Sequence, residues 1–291
     1  IDRRSITPKF LYYYLKTLDL TELNFAGGVP SLTKTILDRI SIPIPPLPVQ
    51  EEIVNILDKF TTLEAELEAE LEARKTQYEF YRNQLLNFEG KDVEWKTLGE
   101  IGVFIRGNGL QKKDFTSSGV GCIHYGQVYT FYGIYAYSTK TFVSNDFAKK
   151  LKKAKKGDLI IAATSENVED VCKAVAWLGD TQIAISGDAF IFRHNQNPKF
   201  IAYYFKTNSF FENKKRFATG TKVIRVSGES MAKIPIPIPP LPEQERIVAI
   251  LDKFDALVND ISEGLPAEIR ARRKQYEYYR NKLLTFKPLA N

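Results

Sequence analysis

IPIPPLPVQEEIVNILDKF, residues 42–60, recurs as IPIPPLPEQERIVAILDKF, residues 236–254, with 16 of 19 positions identical. A second block repeats further along the chain: residues 73–88, ARKTQYEFYRNQLLNF, match residues 271–286, ARRKQYEYYRNKLLTF, at 11 of 16 positions. An internal repeat of this kind is the signature of duplicated modules. Each module is predicted to be a proline-rich lead-in followed by a long helix.

A heptad pattern of apolar residues follows each lead-in and predicts a long amphipathic helix. The pattern runs from Ile53 to Leu85 in the first copy and from Ile247 to Leu283 in the second. The second copy has 16 residues between its repeated blocks and the first has 12, which predicts a four-residue stutter in the second helix. We expect the two helices to pack as an antiparallel coiled coil; two separate surface helices are the alternative.

The proline-rich lead-ins cannot be helical or form a central strand, because proline lacks a backbone donor and restricts its predecessor. They are expected to be rigid connectors. Within the first helix, residues 63–74 repeat a four-residue unit, LEAE, LEAE and LEAR. One unit is about one helical turn, so adding or removing it changes the helix length by about 6 Å. The repeat is interpreted as a ruler, or alternatively as a solubilising helix of good helix formers.

The segment between the modules predicts a mixed domain, so the fold class is α+β. Strand-like runs are predicted at residues 158–163, 171–178 and 183–193. Asn197 is a predicted N-cap, and a helix is expected from Phe200 to Phe217, ending before Gly220. Residues 8–17, PKFLYYYLKT, match residues 198–207, PKFIAYYFKT, at 7 of 10 positions. Residues 1–41 are therefore expected to be the C-terminal remnant of a first, incomplete copy of this domain.

The charge is distributed unevenly along the chain. Residues 91–234 hold 22 Lys and Arg against 13 Asp and Glu, whereas residues 49–88 hold 4 against 9. A basic globular segment next to an acidic helix favours a polyanionic partner for the globular segment, with a merely solvated basic surface as the alternative.

Several classes of function lack support in the sequence. No apolar run is long enough to span a membrane. Cys122 and Cys172 are expected to be core residues of a protein in the reducing cytoplasm. His124 and His194 have no metal-ligand spacing, and no phosphate-binding loop, dinucleotide motif or catalytic triad is present. No catalytic residue, metal site or cofactor is therefore predicted.

The sequence does support a binding function, because basic, amide and aromatic residues cluster in glycine-containing loops. Lys and Arg neutralise phosphates, and Asn, Gln and Arg can hydrogen-bond base edges. The candidate DNA-binding residues are Arg106, Asn108, Lys112, Lys113, Tyr125, Gln127, Ser165, Asn167, Thr221, Lys222 and Arg225. We expect salt-dependent phosphate contacts from the four residues Lys112, Lys113, Lys222 and Arg225, and base or groove contacts from Tyr125, Gln127 and Asn167.

Several segments of the sequence resemble the specificity (S) subunit of type I restriction–modification systems. The resemblance is carried by PPLPxQExIVxILDKF, twice, and by LGEI, HYGQVYT, KKGDLIIA, SGDAFIF and ATGTKV, near Leu98, Tyr125, Gly157, Gly187 and Gly220. It implies a non-catalytic protein in which each target-recognition domain reads one half of a split site in double-stranded DNA. It also implies that paired helices act as a spacer and dock methyltransferase (M) subunits, and that restriction (R) subunits join the complex.

The resemblance suggests a division of this chain into four parts: residues 1–41 as the remnant, 42–89 as lead-in and first spacer helix, 90–235 as a complete recognition domain, and 236–291 as lead-in and second spacer helix. The candidate partner-binding residues are Pro239, Pro240, Gln244, Tyr276, Tyr279 and Arg280. Packing within the protein is the alternative role for them. Self-association of two copies is a further possible partner interaction.

Two other functional classes stay open. The chain could be the recognition end of a single-chain DNA methyltransferase or nuclease whose catalytic domain lies outside this sequence. It could also be a structural coiled-coil scaffold, although the basic domain argues against that reading.

Overall fold

A computed structural model of the protein describes residues 5–23 and 32–286. The predicted remnant, residues 1–41, lies partly outside these described residues. The chain divides into two compact units: Ile1–Thr76 with Asp255–Asn291 form one, and Gln77–Phe254 form the other. No helix in the described ranges is long and apolar enough to cross a membrane.

The described residues of the first unit are mainly helical, and the second unit contains both helices and sheets. The α-helices are α1 (Pro8–Leu15), α2 (Lys34–Leu37), α3 (Leu47–Leu85), α4 (Leu98–Ile101), α5 (Tyr125–Thr130), α6 (Asn145–Ala148), α7 (Pro198–Tyr204), α8 (Asn208–Lys215), α9 (Gly228–Ala232), α10 (Leu241–Asn259) and α11 (Leu265–Leu283). Leu20–Leu23 and Lys112–Asp114 form 3-10 helices.

Within residues 5–23 and 32–286, every strand belongs to the second unit. They are β1 (Glu94–Thr97), β2 (Gly102–Arg106), β3 (Val120–Ile123), β4 (Tyr135–Ala136), β5 (Thr141–Val143), β6 (Lys153–Ala154), β7 (Leu159–Ala162), β8 (Thr164–Ser165), β9 (Ala174–Trp177), β10 (Ile183–Ile185), β11 (Ala189–His194), β12 (Ile224–Arg225) and β13 (Pro235–Ile238). Strands β7, β9 and β10 fall inside the three runs that the sequence predicts, and β11 extends one residue beyond the last run.

Two mixed sheets enclose the core of the second unit. The larger has the order β2-β11-β7-β9-β4, and the smaller has the order β5-β3-β10-β6. Both sheets contribute apolar side chains to one buried cluster, including Ile123 and Ile183 from the smaller and Ile160, Trp177 and Ile191 from the larger. Burial of each such side chain stabilises the fold by roughly 1.5–3 kcal/mol. Cys122 and Cys172 are buried free thiols, as expected for core residues.

In the first unit, α3 and α11 run antiparallel. Phe60 on α3 lies against Tyr279 and Tyr276 on α11, with ring centroids 5.5 and 6.4 Å apart. Later along α3, Glu64 and Glu68 both accept hydrogen bonds from Arg273, which precedes those tyrosines on α11. The second unit repeats the aromatic contact: Phe254 on α10 stacks on Tyr81 of α3 at 5.3 Å. The alternative of two separate helices therefore does not hold.

The long helix predicted from Ile247 to Leu283 is interrupted, whereas the heptad pattern predicted a continuous helix with a stutter. Helix α10 ends at Asn259 and α11 starts at Leu265. Between them, the carboxylate of Asp260 accepts the backbone N–H of Ser262 at 2.6 Å, and Gly264 takes the N-cap position of α11. A Cβ at Gly264 would lie 2.4 Å from the carbonyl oxygen of Ala256, so only glycine fits. The four extra residues form a turn.

The helix predicted after Asn197 is also split. Its start is confirmed, because the Asn197 side chain accepts the backbone N–H groups of Lys199 and Phe200. However, Thr207 caps a new helix by accepting the N–H of Phe210 at 3.2 Å, so α7 and α8 are separate. The second lead-in forms β13, which pairs with β1 as a two-stranded sheet. This agrees with the exclusion of a central strand, because an edge strand tolerates proline.

Candidate nucleic-acid interface

Five of the predicted DNA-binding residues line a single groove of about 600 Å³ in the second unit. These residues are Lys112, Tyr125, Gln127, Ser165 and Asn167. The groove, called here the tyrosine groove, is also lined by His124, Tyr129, Glu166 and Asp170. Three loops that are far apart in sequence therefore converge on one surface.

Helix α5 presents the aromatic side of the tyrosine groove. His124 is its N-cap, and the ring nitrogen Nδ1 accepts the N–H of Gly126 at 3.3 Å. Gln127 closes a capping box by accepting the N–H of His124 at 2.9 Å, and its Nε2 lies 3.2 Å from Thr141 Oγ1. Burial, together with the charge of Lys112, lowers the pKa of His124, so this imidazole is neutral at pH 7. The Tyr125 ring lies 4.5 Å from the His124 ring and forms an aromatic wall.

The opposite side of the groove is built by the turn after β8. Ser165 is buried, and its hydroxyl accepts the N–H of Asn167 at 3.2 Å. The Asn167 side chain donates to the Asp170 carboxylate at 3.0 Å and accepts the Asp170 N–H at 2.7 Å. These polar atoms hold the turn together, which is a structural use of residues that the sequence assigned to DNA.

Two predicted arginines lie at a second groove of about 830 Å³, called here the arginine groove. Arg106 and Arg225 line it together with Thr164 and an apolar floor that includes Phe104 and Phe190. Arg106 Nε donates to the Gly187 carbonyl at 2.9 Å, which orients its exposed guanidinium. Because Thr164 lines the arginine groove and Ser165 the tyrosine groove, strand β8 separates the two.

The remaining predicted DNA-binding residues divide into exposed cations and one structural amide. Lys112 and Lys113 are exposed on their 3-10 helix, and Thr221 and Lys222 are exposed in the turn after Gly220, whose φ is +102°. Asn108 instead donates to the Lys150 carbonyl at 2.9 Å and accepts the Lys152 N–H at 2.7 Å. Its amide therefore joins two loops of the domain.

The predicted partner-binding residues fall into two groups. Pro239 is buried and Pro240 is exposed. Gln244 is only 1% exposed; its side chain accepts the N–H of Asn197 at 3.0 Å and donates to the Pro239 carbonyl at 2.8 Å. This is the packing role that was weighed as the alternative. Gln50 makes the equivalent bonds in the first unit, to Thr7 N–H at 2.9 Å and the Pro45 carbonyl at 2.7 Å.

The tyrosine-rich end of α11 is partly accessible. Tyr276 is half-buried, with the Arg280 guanidinium 5.6 Å from its ring centre, whereas Tyr279 is 37% exposed. Two exposed aromatic residues were not among the predicted contacts: Tyr278 is 60% exposed, and its repeat equivalent Phe80 is 61% exposed. The sequence contains a signal for them, because both are aromatic residues at matching positions of the duplicated block.

Comparison with known proteins identifies the family. The sequence matches the family described as "Type I restriction modification DNA specificity domain" over residues 1–73 and 90–271. The specificity subunit of the type I restriction enzyme EcoR124I/EcoR124II from Escherichia coli is 35% identical over 295 residues, covering 98% of this chain and 72% of the relative.

Solved structures show the same fold. A chain from a structure of type I R-M system assembly and conformational transition superposes with a TM-score of 0.67 at 16% identity, covering 97% of this chain and 72% of that one. The crystal structure of the HsdS subunit from Thermoanaerobacter tengcongensis gives 0.55 at 18% identity, with 97% and 71% covered. The family match spans most of the chain, and the chain belongs to the type I restriction modification DNA specificity family.

Proposed function

We infer that this protein is the DNA specificity subunit of a type I restriction–modification complex. The observation that carries this function is the convergence of five independently predicted residues on the tyrosine groove of a family member's basic domain. A groove that combines lysine with aromatic and amide side chains can bind both phosphates and base edges. The alternative, a single-chain methyltransferase or nuclease, is not favoured, because the E. coli relative is named a specificity subunit.

We propose that residues 90–235 form the recognition domain for one half-site and that residues 1–41 correspond to the end of another. Residues 42–89 and 236–291 would be the spacer segments between them. The contact between Phe60 and Tyr279 supports a rigid spacer, because stacked aromatic pairs add about 0.5–1.5 kcal/mol beyond area burial. Association of two copies of the chain would supply two complete recognition domains.

Roles within the recognition domain follow from accessibility. We assign phosphate contacts to the exposed residues Arg106, Lys112, Lys113, Lys222 and Arg225. Tyr125 is assigned to base or groove contact because its ring forms the groove wall. Asn108, Gln127, Ser165 and Asn167 would act indirectly, since their polar side-chain atoms hold the loops in shape.

We propose that methyl transfer and cleavage belong to M and R subunits and that this chain is non-catalytic, with no cofactor of its own. The exposed aromatic pairs Phe80–Tyr81 and Tyr278–Tyr279 occur at equivalent positions, so they suit two copies of the same M subunit. Tyr279, Arg280 and Pro240 remain candidate contacts for the M subunits. The complex would act in the cytoplasm, where chromosomal DNA is accessible.

Reconstitution with the M subunits of the same host tests this function. We expect the complex to methylate one bipartite motif and the M subunits alone to methylate none. Specific retention of a duplex that carries the motif should weaken steeply with salt, because several phosphates are neutralised. Equal activity of the M subunits without this chain would contradict the proposal, as would methylation or cleavage by this chain alone.

A further inference from the structure

Glu166 is the acidic side chain of the tyrosine groove that forms no ion pair within the described part of the chain. Asp170, the other groove carboxylate, pairs with Lys173 at 2.6 Å and accepts from Asn167. Glu166 is exposed and lines the groove, and its side chain makes no hydrogen bond or ion pair with any described residue. Its carboxylate is therefore available to a ligand in the groove.

Hydrogen bonds from a buried lysine hold the backbone of the loop that carries Glu166. Lys214 on α8 is only 3% exposed, and its Nζ donates to the carbonyl oxygens of Glu169 at 2.9 Å and Val171 at 2.6 Å. Burial of an ammonium is costly unless hydrogen bonds compensate for lost water. Cys172 has a φ of +62°, which is unusual for a non-glycine residue and persists only where its surroundings enforce it. Glu166 is therefore presented by a preorganised loop.

An unpaired carboxylate is unexpected in a groove that is proposed to bind phosphates. Lys112 lines the same groove, and the domain as a whole is basic, so an acid here weakens attraction to DNA in general. A carboxylate accepts hydrogen bonds and cannot donate them. In the major groove, the base-edge donors are the amino groups N4 of cytosine and N6 of adenine, whereas guanine and thymine present carbonyl acceptors at the corresponding place.

We propose that Glu166 is a specificity-determining residue that accepts a hydrogen bond from the exocyclic amino group of a cytosine or adenine in the target half-site. This inference rests on the proposed function. The carboxylate attracts an amino base and repels the carbonyl oxygen of guanine or thymine, so it excludes wrong bases as well as binding the right one. The Lys214 hydrogen bonds act as positioning interactions for this contact.

The test compares wild type with E166Q in the assembled M–S complex on duplexes substituted at each position of the methylated motif. Wild type should prefer an amino base over a keto base at one position by about tenfold or more. E166Q should lose this preference, because an amide both donates and accepts. Duplexes in which purine replaces adenine, or pyrimidin-2-one replaces cytosine, lack only the amino group. One of these two duplexes should bind wild type more weakly by a similar factor, which identifies the contacted base. The same duplex should bind E166Q as tightly as the unmodified duplex does.

E169Q is the matched control, since Glu169 is an exposed acid on the same loop that does not line the groove. It makes the same charge change, and we expect it to keep the wild-type base preference. If E166Q and E169Q both strengthen binding to all sequences equally, Glu166 contributes only charge and the inference is overturned while the proposed function stands. If wild type prefers no sequence, both are overturned.

Discussion

Asp58 and Asp252 occupy equivalent positions of the repeated helices, and each accepts a hydrogen bond from a tyrosine hydroxyl, Tyr13 at 2.7 Å and Tyr203 at 2.8 Å. Each carboxylate also pairs with the lysine four residues before that tyrosine, Lys9 or Lys199. The duplication of the sequence is therefore a duplication of a specific polar joint between a short helix and a longer helix.

The two joints should differ in strength. D252A removes an acceptor from Tyr203, which is fully buried, and leaves Lys199, whose side chain is only 16% exposed, without its carboxylate. We expect a loss of about 1–3 kcal/mol in the free energy of unfolding, measured by urea titration. D58A should cost less, because Lys9 is solvated and Tyr13 retains Thr61 as a neighbour at 3.5 Å. An equal or larger loss for D58A would contradict this ranking.

His194 should make the protein less stable in mild acid. Burial lowers the pKa of His194 from 6.5 to about 4. As pH falls from 6.5 towards 4, the unfolded chain binds a proton that the folded chain does not, so stability is present above pH 6.5 and is lost on acidification. Between pH 7 and pH 5 the wild type should lose about 1–2 kcal/mol more than H194Q. The pKa of His124 is also lowered, but His124 is present in both proteins, so their difference isolates His194.

Lys222 should contribute affinity without sequence preference. It is exposed in the turn beside the arginine groove. K222A should weaken binding to every duplex by a similar factor and reduce the slope of log affinity against log salt by about one. K156A is the control, because Lys156 is an exposed lysine of the same domain that is paired with Asp180 at 2.7 Å and lines neither groove. A changed base preference in K222A would instead make Lys222 a base-reading residue.

The four-residue repeat in α3 should set a distance. Residues 63–74 are helical throughout, so deletion of residues 67–70 shortens α3 by about 6 Å without breaking it. We expect the gap between half-sites to shrink by one or two base pairs, since each rises about 3.4 Å. Methylation assays on duplexes with graded gaps measure this change. An unchanged preferred gap would leave the repeat as a solubilising helix only.

The helix and strand pattern was largely predictable where local signals agreed. The Asn197 cap, the strands β7, β9, β10 and β11 and the first long helix all follow from residues close together in sequence. The break before α11 was missed because the heptad pattern was given more weight than Ser262, Gly264 and Pro266. A glycine that directly precedes a helix-starting Leu-Pro pair is the stronger signal for a helix boundary.

The sequence indicated the loops of the candidate site, but it did not indicate what each side chain does there. Glycine, lysine and aromatic residues marked the candidate loops, and residues of three of them line the tyrosine groove. The Asn108 amide hydrogen-bonds to the backbone of Lys150 and Lys152. These partners lie more than forty residues away, and no local sequence pattern reveals them. Glu166 was overlooked for the same reason: its significance appears only once the neighbouring side chains are seen to be occupied.

Methylome sequencing of host cells with and without this protein tests the central claim most directly. If the chain supplies sequence specificity to a partner methyltransferase, one bipartite motif should lose methylation on deletion and regain it on complementation. Exchange of residues 90–235 for another recognition domain should change the bases of that motif. Persistence of the motif after deletion would contradict the account.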